Sequence, residues 1–185
     1  MTSTVTIREA QPGDSRALND YMVATYKVAR HLITRPDEFR PQPFARRLWI
    51  AKKQLNEFEL CIVAEEDGNI IGMLECWTDR RQRITHVTTF AMSVAPDSQG
   101  KGVGKALLTH YIDWVRDHPH LRKIDLHVHS DNVAAKAMYE KLGFKKQGVR
   151  KAQIIYEDGR VIDDILMTLW PKGDEPEATH PAEPD

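Results

Sequence analysis

The chain has 185 residues, of which 41% are hydrophobic and 29% charged, with two cysteines and a net charge of −1. This is the length of one domain with a sizeable core and the composition of an ordinary globular protein. A disulfide framework, a structural zinc site and a bilayer span are excluded as expectations: Cys61 and Cys76 lack ligand spacing and read as buried free thiols, and no apolar run nears the roughly 20 residues a span needs.

Val5 to Ala10 reads as a short strand, and Pro12-Gly13-Asp14-Ser15 as a turn and helix start. Leu18, Tyr21, Met22, Val28, Ala29 and Leu32 then form a helical apolar stripe. Pro36, Pro41 and Pro43 interrupt the chain before a second helix, whose apolar face is expected from Phe44, Leu48, Ala51 and Leu55. Strands over Leu60–Glu66 and Ile70–Thr78 join through Asp67-Gly68-Asn69, a sequence suited to positive φ angles. A further strand is expected over His86–Val94, a third helix from about Gly102 to Arg116, and a strand over Lys123–His129. A fourth helix over Asn132–Lys141 is closed by Gly143. Lys145–Ile155 and Val161–Leu169 pair across Glu157-Asp158-Gly159.

The globular domain is expected over residues 1–170. Residues 171–185 carry Asp174, Glu175, Glu177, Glu183 and Asp185 against Lys172 and are rich in proline, so a disordered acidic tail is expected. Its net −4 leaves +3 for the body of the chain, which suits an anionic ligand and falls short of a nucleic-acid footprint. The amino terminus lacks a basic segment followed by an apolar run, so a cytoplasmic location without membrane association is expected.

The most informative segment is Val94-Ala-Pro-Asp-Ser-Gln-Gly-Lys-Gly-Val-Gly-Lys-Ala-Leu-Leu108, which passes from a strand through a glycine-dense turn into an amphipathic helix. Gly100, Gly102 and Gly104 leave the backbone bare at alternate positions, so the N–H groups opening the helix can approach an anion, which the helix dipole favours. Two common phosphate motifs fail here. A P-loop needs glycine where Gln99 stands and Ser or Thr where Ala106 stands; a dinucleotide fingerprint needs glycine at Lys105 or Leu107.

What remains is Gln99-x-x-Gly102-x-Gly104, which resembles the acetyl-CoA signature of the GNAT superfamily of N-acetyltransferases. Ile84 to Val94 resembles that family's fourth strand, and Leu126 to Phe144, with Asn132, Tyr139 and Leu142-Gly143-Phe144, its second core motif. The element order β-αα-β-β-β-α-β-α-β-β is that of the family fold, an α/β (α+β) domain with a single twisted mixed sheet and helices on both faces. The resemblance implies acetyl-CoA as co-substrate. Its pyrophosphate would lie on the N–H groups of Gly100, Lys101, Gly102, Val103, Gly104 and Lys105 after Gln99, its pantetheine arm along the backbone of Met92 and Val94, and Asn132 would contact the pantetheine or pyrophosphate region. Tyr139 is implied as the acid that protonates the leaving thiolate, a role open to a phenol of pKa near 10.

The family's strand-four glutamate is missing: Thr88 and Thr89 stand there, and neither hydroxyl is a useful base. Glu75, His86, Asp163 and Asp164 are the substitutes, and an amine of modest pKa could also react without a dedicated base. His127 and His129, with Asp125, face one side of a strand in a way compatible with a metal. A third sequence-near ligand is absent, so no metal is expected and the pair reads as a polar face near the cofactor helices. The basic stretch from Lys27 to Lys53, with Arg46 and Arg47, reads as a solvated face or as part of an acceptor pocket. The expected reaction is direct attack of a small-molecule primary amine on the thioester in a ternary complex, with a homodimer common among relatives. A protein amino terminus or lysine as acceptor, and a non-catalytic acetyl-CoA sensor, stand as alternatives.

Overall fold

The structure is a computed structural model that describes residues 4–173 and 175–177. Its elements are β1 (Thr6–Glu9), α1 (Ser15–Tyr26), α2 (Pro43–Gln54), β2 (Cys61–Glu66), β3 (Asn69–Thr78), β4 (Val87–Val94), α3 (Val103–Asp117), β5 (Lys123–His129), α4 (Val133–Lys141), β6 (Lys145–Ile155) and β7 (Val161–Leu169). The seven strands form one sheet in the order β1-β2-β3-β4-β5-β7-β6. Every neighbouring pair is antiparallel except β4 and β5, which α3 connects as a parallel crossover. The mixed sheet with helices on both faces is the fold expected from the sequence.

Strand alternation divides the core in two. Cys61, Val63 and Met73 face α1 and α2, where they pack with Leu18, Met22 and Ile50. Ile62, Ala64, Leu74, Cys76 and Phe90 face α3 and α4, among Leu107, Leu108, Tyr111 and Tyr139. Each fully buried aliphatic side chain here contributes about 1.5–3 kcal/mol. Both cysteines are free and buried, and burial pushes Cys61 up to about 12 and Cys76 to about 11. The β2–β3 hairpin turns through Asp67 and Gly68, both at positive φ.

Two expectations are corrected. The first helix stops at Tyr26 instead of running on to Leu32: the N–H groups of Val28 and Ala29 both fold back on the Thr25 carbonyl. Val28 and Ile33 are exposed because the sheet opens beneath them and offers no core to cover. In α2, the stripe of Phe44, Leu48 and Leu55 faces outward, with Phe44 76% and Leu55 89% exposed. Ile50 and Lys53 are buried in its place. The Lys53 ammonium donates to the Cys76 carbonyl at 2.6 Å and pairs with Glu59 at 3.2 Å and Glu75 at 3.4 Å, which fixes the helix rotation against its apolar periodicity.

Of the acidic tail, residues 174 and 178–185 lie outside the described residues. The Pro171 carbonyl accepts from the Arg116 guanidinium at 3.3 Å, and Glu175 pairs with Lys145 at 3.5 Å.

Gly72 of β3 lets α3 approach the sheet closely: a β-carbon there would stand 3.0 Å from Leu107 Cδ1 and 3.2 Å from Val103 Cγ1. Gly72→Ala is expected to push α3 outward and cost about 1–3 kcal/mol, read from the midpoint of urea unfolding. An unchanged midpoint would show that α3 has slack.

Candidate active site

β4 and β5 pair only through Val87–Lys123, Thr88–Ile124 and Thr89–Asp125, and then diverge. Beyond Thr89 the two parallel strands leave a gap in the middle of the sheet, and this gap is part of a cleft of about 1260 Å³. Its walls include Thr89 to Met92 of β4, Leu126 to His129 of β5, Tyr139 of α4, and residues of β6 and the β6–β7 turn. The segment between Tyr26 and Pro36, which follows α1, closes it from above. The volume exceeds the roughly 300–1,000 Å³ of a pocket for one small ligand and leaves room for two reactants.

At one end of β4, a 3-10 turn over Pro96–Ser98 leads into α3, with Gly102 as N-cap at a φ of 86°. No side chain caps this helix. Among the described residues, no acceptor takes the backbone N–H groups of Gly100, Lys101, Gly102, Val103, Gly104 or Lys105, and the first such donor is Ala106, to the Gly102 carbonyl at 2.9 Å. Six undirected N–H groups at a helix N-terminus suit a pyrophosphate. A β-carbon at Gly100 or Gly102 would meet no atom within 4 Å, so the open side of the turn is free to receive one.

The individual site residues take different places. Met92 lines the cleft, while Val94 packs against Gly104. The Gln99 side chain is engaged within the protein, donating to the Val94 carbonyl at 3.1 Å. The Val103 side chain is buried, which leaves its N–H for the turn, and Lys101 and Lys105 are exposed. Asn132 stands one residue before α4 as its N-cap, accepting from the Ala135 N–H at 3.2 Å, and its other face lines the cleft.

Tyr139 is 8% exposed and packs edge-on against Phe90, with ring centroids 6.2 Å apart. Its hydroxyl makes no hydrogen bond among the described residues. Burial alone pushes its pKa up to about 12, so the phenol holds its proton at every physiological pH.

The four groups that could act as a base separate clearly. Glu75 is engaged by Lys53. His86 lies at the paired end of β4, stacked on Trp170 with centroids 6.5 Å apart. Asp163 is held outside the cleft by Lys151 at 2.8 Å and by the Ala152 N–H at 2.9 Å. Only Asp164 lines the cleft, buried, with Arg150 Nε at 2.8 Å and His127 Nδ1 at 2.9 Å on its Oδ2.

That geometry places the His127 ring between a carboxylate and a guanidinium. His127 Nδ1 also lies 3.1 Å from the Arg150 guanidinium: a protonated Nδ1 donates to Asp164, whereas an unprotonated one accepts from Arg150. A second set stands beside it: His129 Nδ1 is 2.7 Å from the Tyr156 hydroxyl, which donates to Asp131 at 3.2 Å. Burial, then His31, lowers the His129 pKa; burial, then Asp131, raises that of Tyr156 to about 12. The two histidines were expected near the cofactor helices; they face the α1–α2 side instead, because their strand positions alternate with Leu126 and Val128, which face α3. Arg46 and Arg47 do not line the cleft. The signal for His127 was its spacing, five residues before Asn132 on the strand that enters α4, with Asp164 reached only through the β5–β7 pairing.

Residues 21–144, about two thirds of the chain, match the acetyltransferase (GNAT) family. The chain is 38% identical over 86 residues to the [ribosomal protein bS18]-alanine N-acetyltransferase of Escherichia coli K12, which covers 46% of this chain and 57% of that protein. It is 30% identical over 106 residues to the L-amino acid N-acetyltransferase AaaT of the same organism, covering 57% of this chain and 65% of the relative. The fold superposes with a TM-score of 0.80 on Salmonella typhimurium yncA, solved with its cofactor acetyl-CoA, at 23% identity over 97% of this chain and 99% of that one. The glycine turn, the parted strands and the family match agree: the chain belongs to the acetyltransferase (GNAT) family.

Proposed function

We propose that the protein is an acetyl-CoA-dependent N-acetyltransferase acting on a primary amine of a small molecule, by direct attack in a ternary complex. The observation that carries this reading is the pair of groups flanking the gap between β4 and β5: an unpartnered, buried phenol from α4 on one face, and a carboxylate-held imidazole from β5 on the other. Acetyl-CoA would supply an activated acetyl thioester. The N–H groups of Gly100 to Lys105 hold its pyrophosphate, and the unpaired stretch of β4 through Met92 aligns its arm.

The chain's own residues then divide the proton traffic. Asp164 fixes the His127 ring so that Nε2 accepts the proton of the attacking amine, directly or through one water. Arg150 holds the Asp164 carboxylate in place. Tyr139 keeps its proton until a thiolate needs it, because burial disfavours the phenolate. The loop after α1 covers the cleft and limits water, which would compete with the amine. A bacterial relative acts on a ribosomal-protein alanine, so a peptide amino terminus belongs in the panel of acceptors beside free amines.

Tyr139→Phe should bind acetyl-CoA with unaltered affinity and lose about 10²–10⁴-fold in kcat. His127→Gln should lose a similar factor, shrinking as the acceptor amine's pKa falls, because a weakly basic amine arrives already deprotonated. Steady-state kinetics over a series of amines decides this; a His127→Gln penalty that ignores amine pKa would remove His127 as the base. Gly102→Asp places a carboxylate on the open side of the glycine turn and should weaken acetyl-CoA at least about 100-fold by calorimetry while leaving the far-ultraviolet circular dichroism intact. Normal affinity in that variant would remove the turn as the phosphate site.

A further inference from the structure

The carboxylates lining the cleft already have cations. Asp164 is held by Arg150, Glu157 lies 3.4 Å from Arg35, and Asp158 lies 2.7 Å from Arg160. Two cations lining the same cleft, Lys27 and Arg30, make no side-chain hydrogen bond or ion pair among the described residues. Both sit on the segment that roofs the cleft. That segment is tied to the far wall by His31, 3.5 Å from Asp131, and by Arg35 on Glu157, so Lys27 and Arg30 are held over the opening by contacts that do not engage their own charges. Lys27 also benefits from the C-terminal dipole of α1; Arg30, three residues further on, does not.

The uncharged lining points the same way. Val28, Ile33, Trp77 and Ile155 are exposed large hydrophobic residues, and all four line this cleft. Apolar area left open at the mouth of a cleft marks a surface that a ligand covers. A polycationic acceptor would meet two unpaired positive charges and no unpaired carboxylate.

We propose that the acceptor is an amine carrying both a carboxylate and an apolar body, in the manner of a hydrophobic α-amino acid, with Lys27 and Arg30 receiving the carboxylate and Ile33, Trp77 and Ile155 covering the body. This rests on the transferase reading above. It differs from that reading in being visible to binding as well as to turnover.

The test compares phenylalanine, phenethylamine and spermidine as acceptors, with wild-type protein and the Lys27→Glu/Arg30→Glu double variant. Phenylalanine should exceed phenethylamine by about tenfold in kcat/KM, the size of one hydrogen bond to a charged group, and that ratio should fall to one or below in the variant. Calorimetry with the products runs in parallel: N-acetylphenylalanine should bind wild-type protein about tenfold more tightly than N-acetylphenethylamine, and the difference should vanish in the variant. Equal use of the two amines, a preference for spermidine, a ratio that survives charge reversal, or failure of both products to bind would each overturn the proposal. Selective binding of N-acetylphenylalanine without acetyl transfer to any amine would support the acceptor assignment and place the failure in the transferase reading.

Discussion

The whole arrangement depends on two neighbouring strands that stop pairing. A parallel pair in the centre of a sheet normally satisfies its backbone N–H and C=O groups along its full length, and leaving such groups unmade is costly. β4 and β5 part after three residue pairs, so the backbone of β4 beyond Thr89 faces an opening where a strand would otherwise lie. The sheet tolerates the gap because its two arms are secured independently. β3 pairs with β4 from Thr88 to Val94, and β7 pairs with β5 from Ile124 to His129. The opening is thus a fixed slot between two stiff half-sheets, and an extended ligand can add itself to it as a strand would.

The slot explains why chemistry arrives from both faces. α4 lies on the same side as α3 and brings Tyr139 against Phe90, next to the last paired residues of β4. Strand alternation sends His127 and His129 to the other side, where the segment after α1 forms a roof. The groups proposed as proton donor and proton acceptor thus flank the slot from opposite faces. On β4 itself, where the resemblance would put a glutamate, Thr88 accepts from the Tyr111 hydroxyl at 3.0 Å inside the core.

Much of this was legible in the residues. The glycine turn, the Asn132–Tyr139 spacing and both hairpin turns are local signals, written in residues whose backbone or helix register leaves little choice, and β5, β6 and β7 fall on their expected boundaries. What escaped reading depends on contacts distant in sequence. Lys53 fixes the rotation of α2 through Glu59, Glu75 and the Cys76 carbonyl, against an apolar stripe that periodicity alone would have turned inward. The role proposed for His127 depends on the β5–β7 register, which sets Asp164 within reach 37 residues later. The end of α1 at Tyr26 was equally hidden, because Val28 and Leu32 continue its pattern and the slot beneath them has no sequence signature.

If the parted strands and the glycine turn form one binding slot for an extended, phosphate-bearing co-substrate, that ligand protects both segments together. Amide hydrogen exchange followed by mass spectrometry, with and without acetyl-CoA, tests it most directly. Slowed exchange is expected in residues 90–94 and 100–105, the stretch of β4 that lacks a partner on its β5 side and the N–H groups of the turn. Protection elsewhere with these two segments unaltered would contradict it.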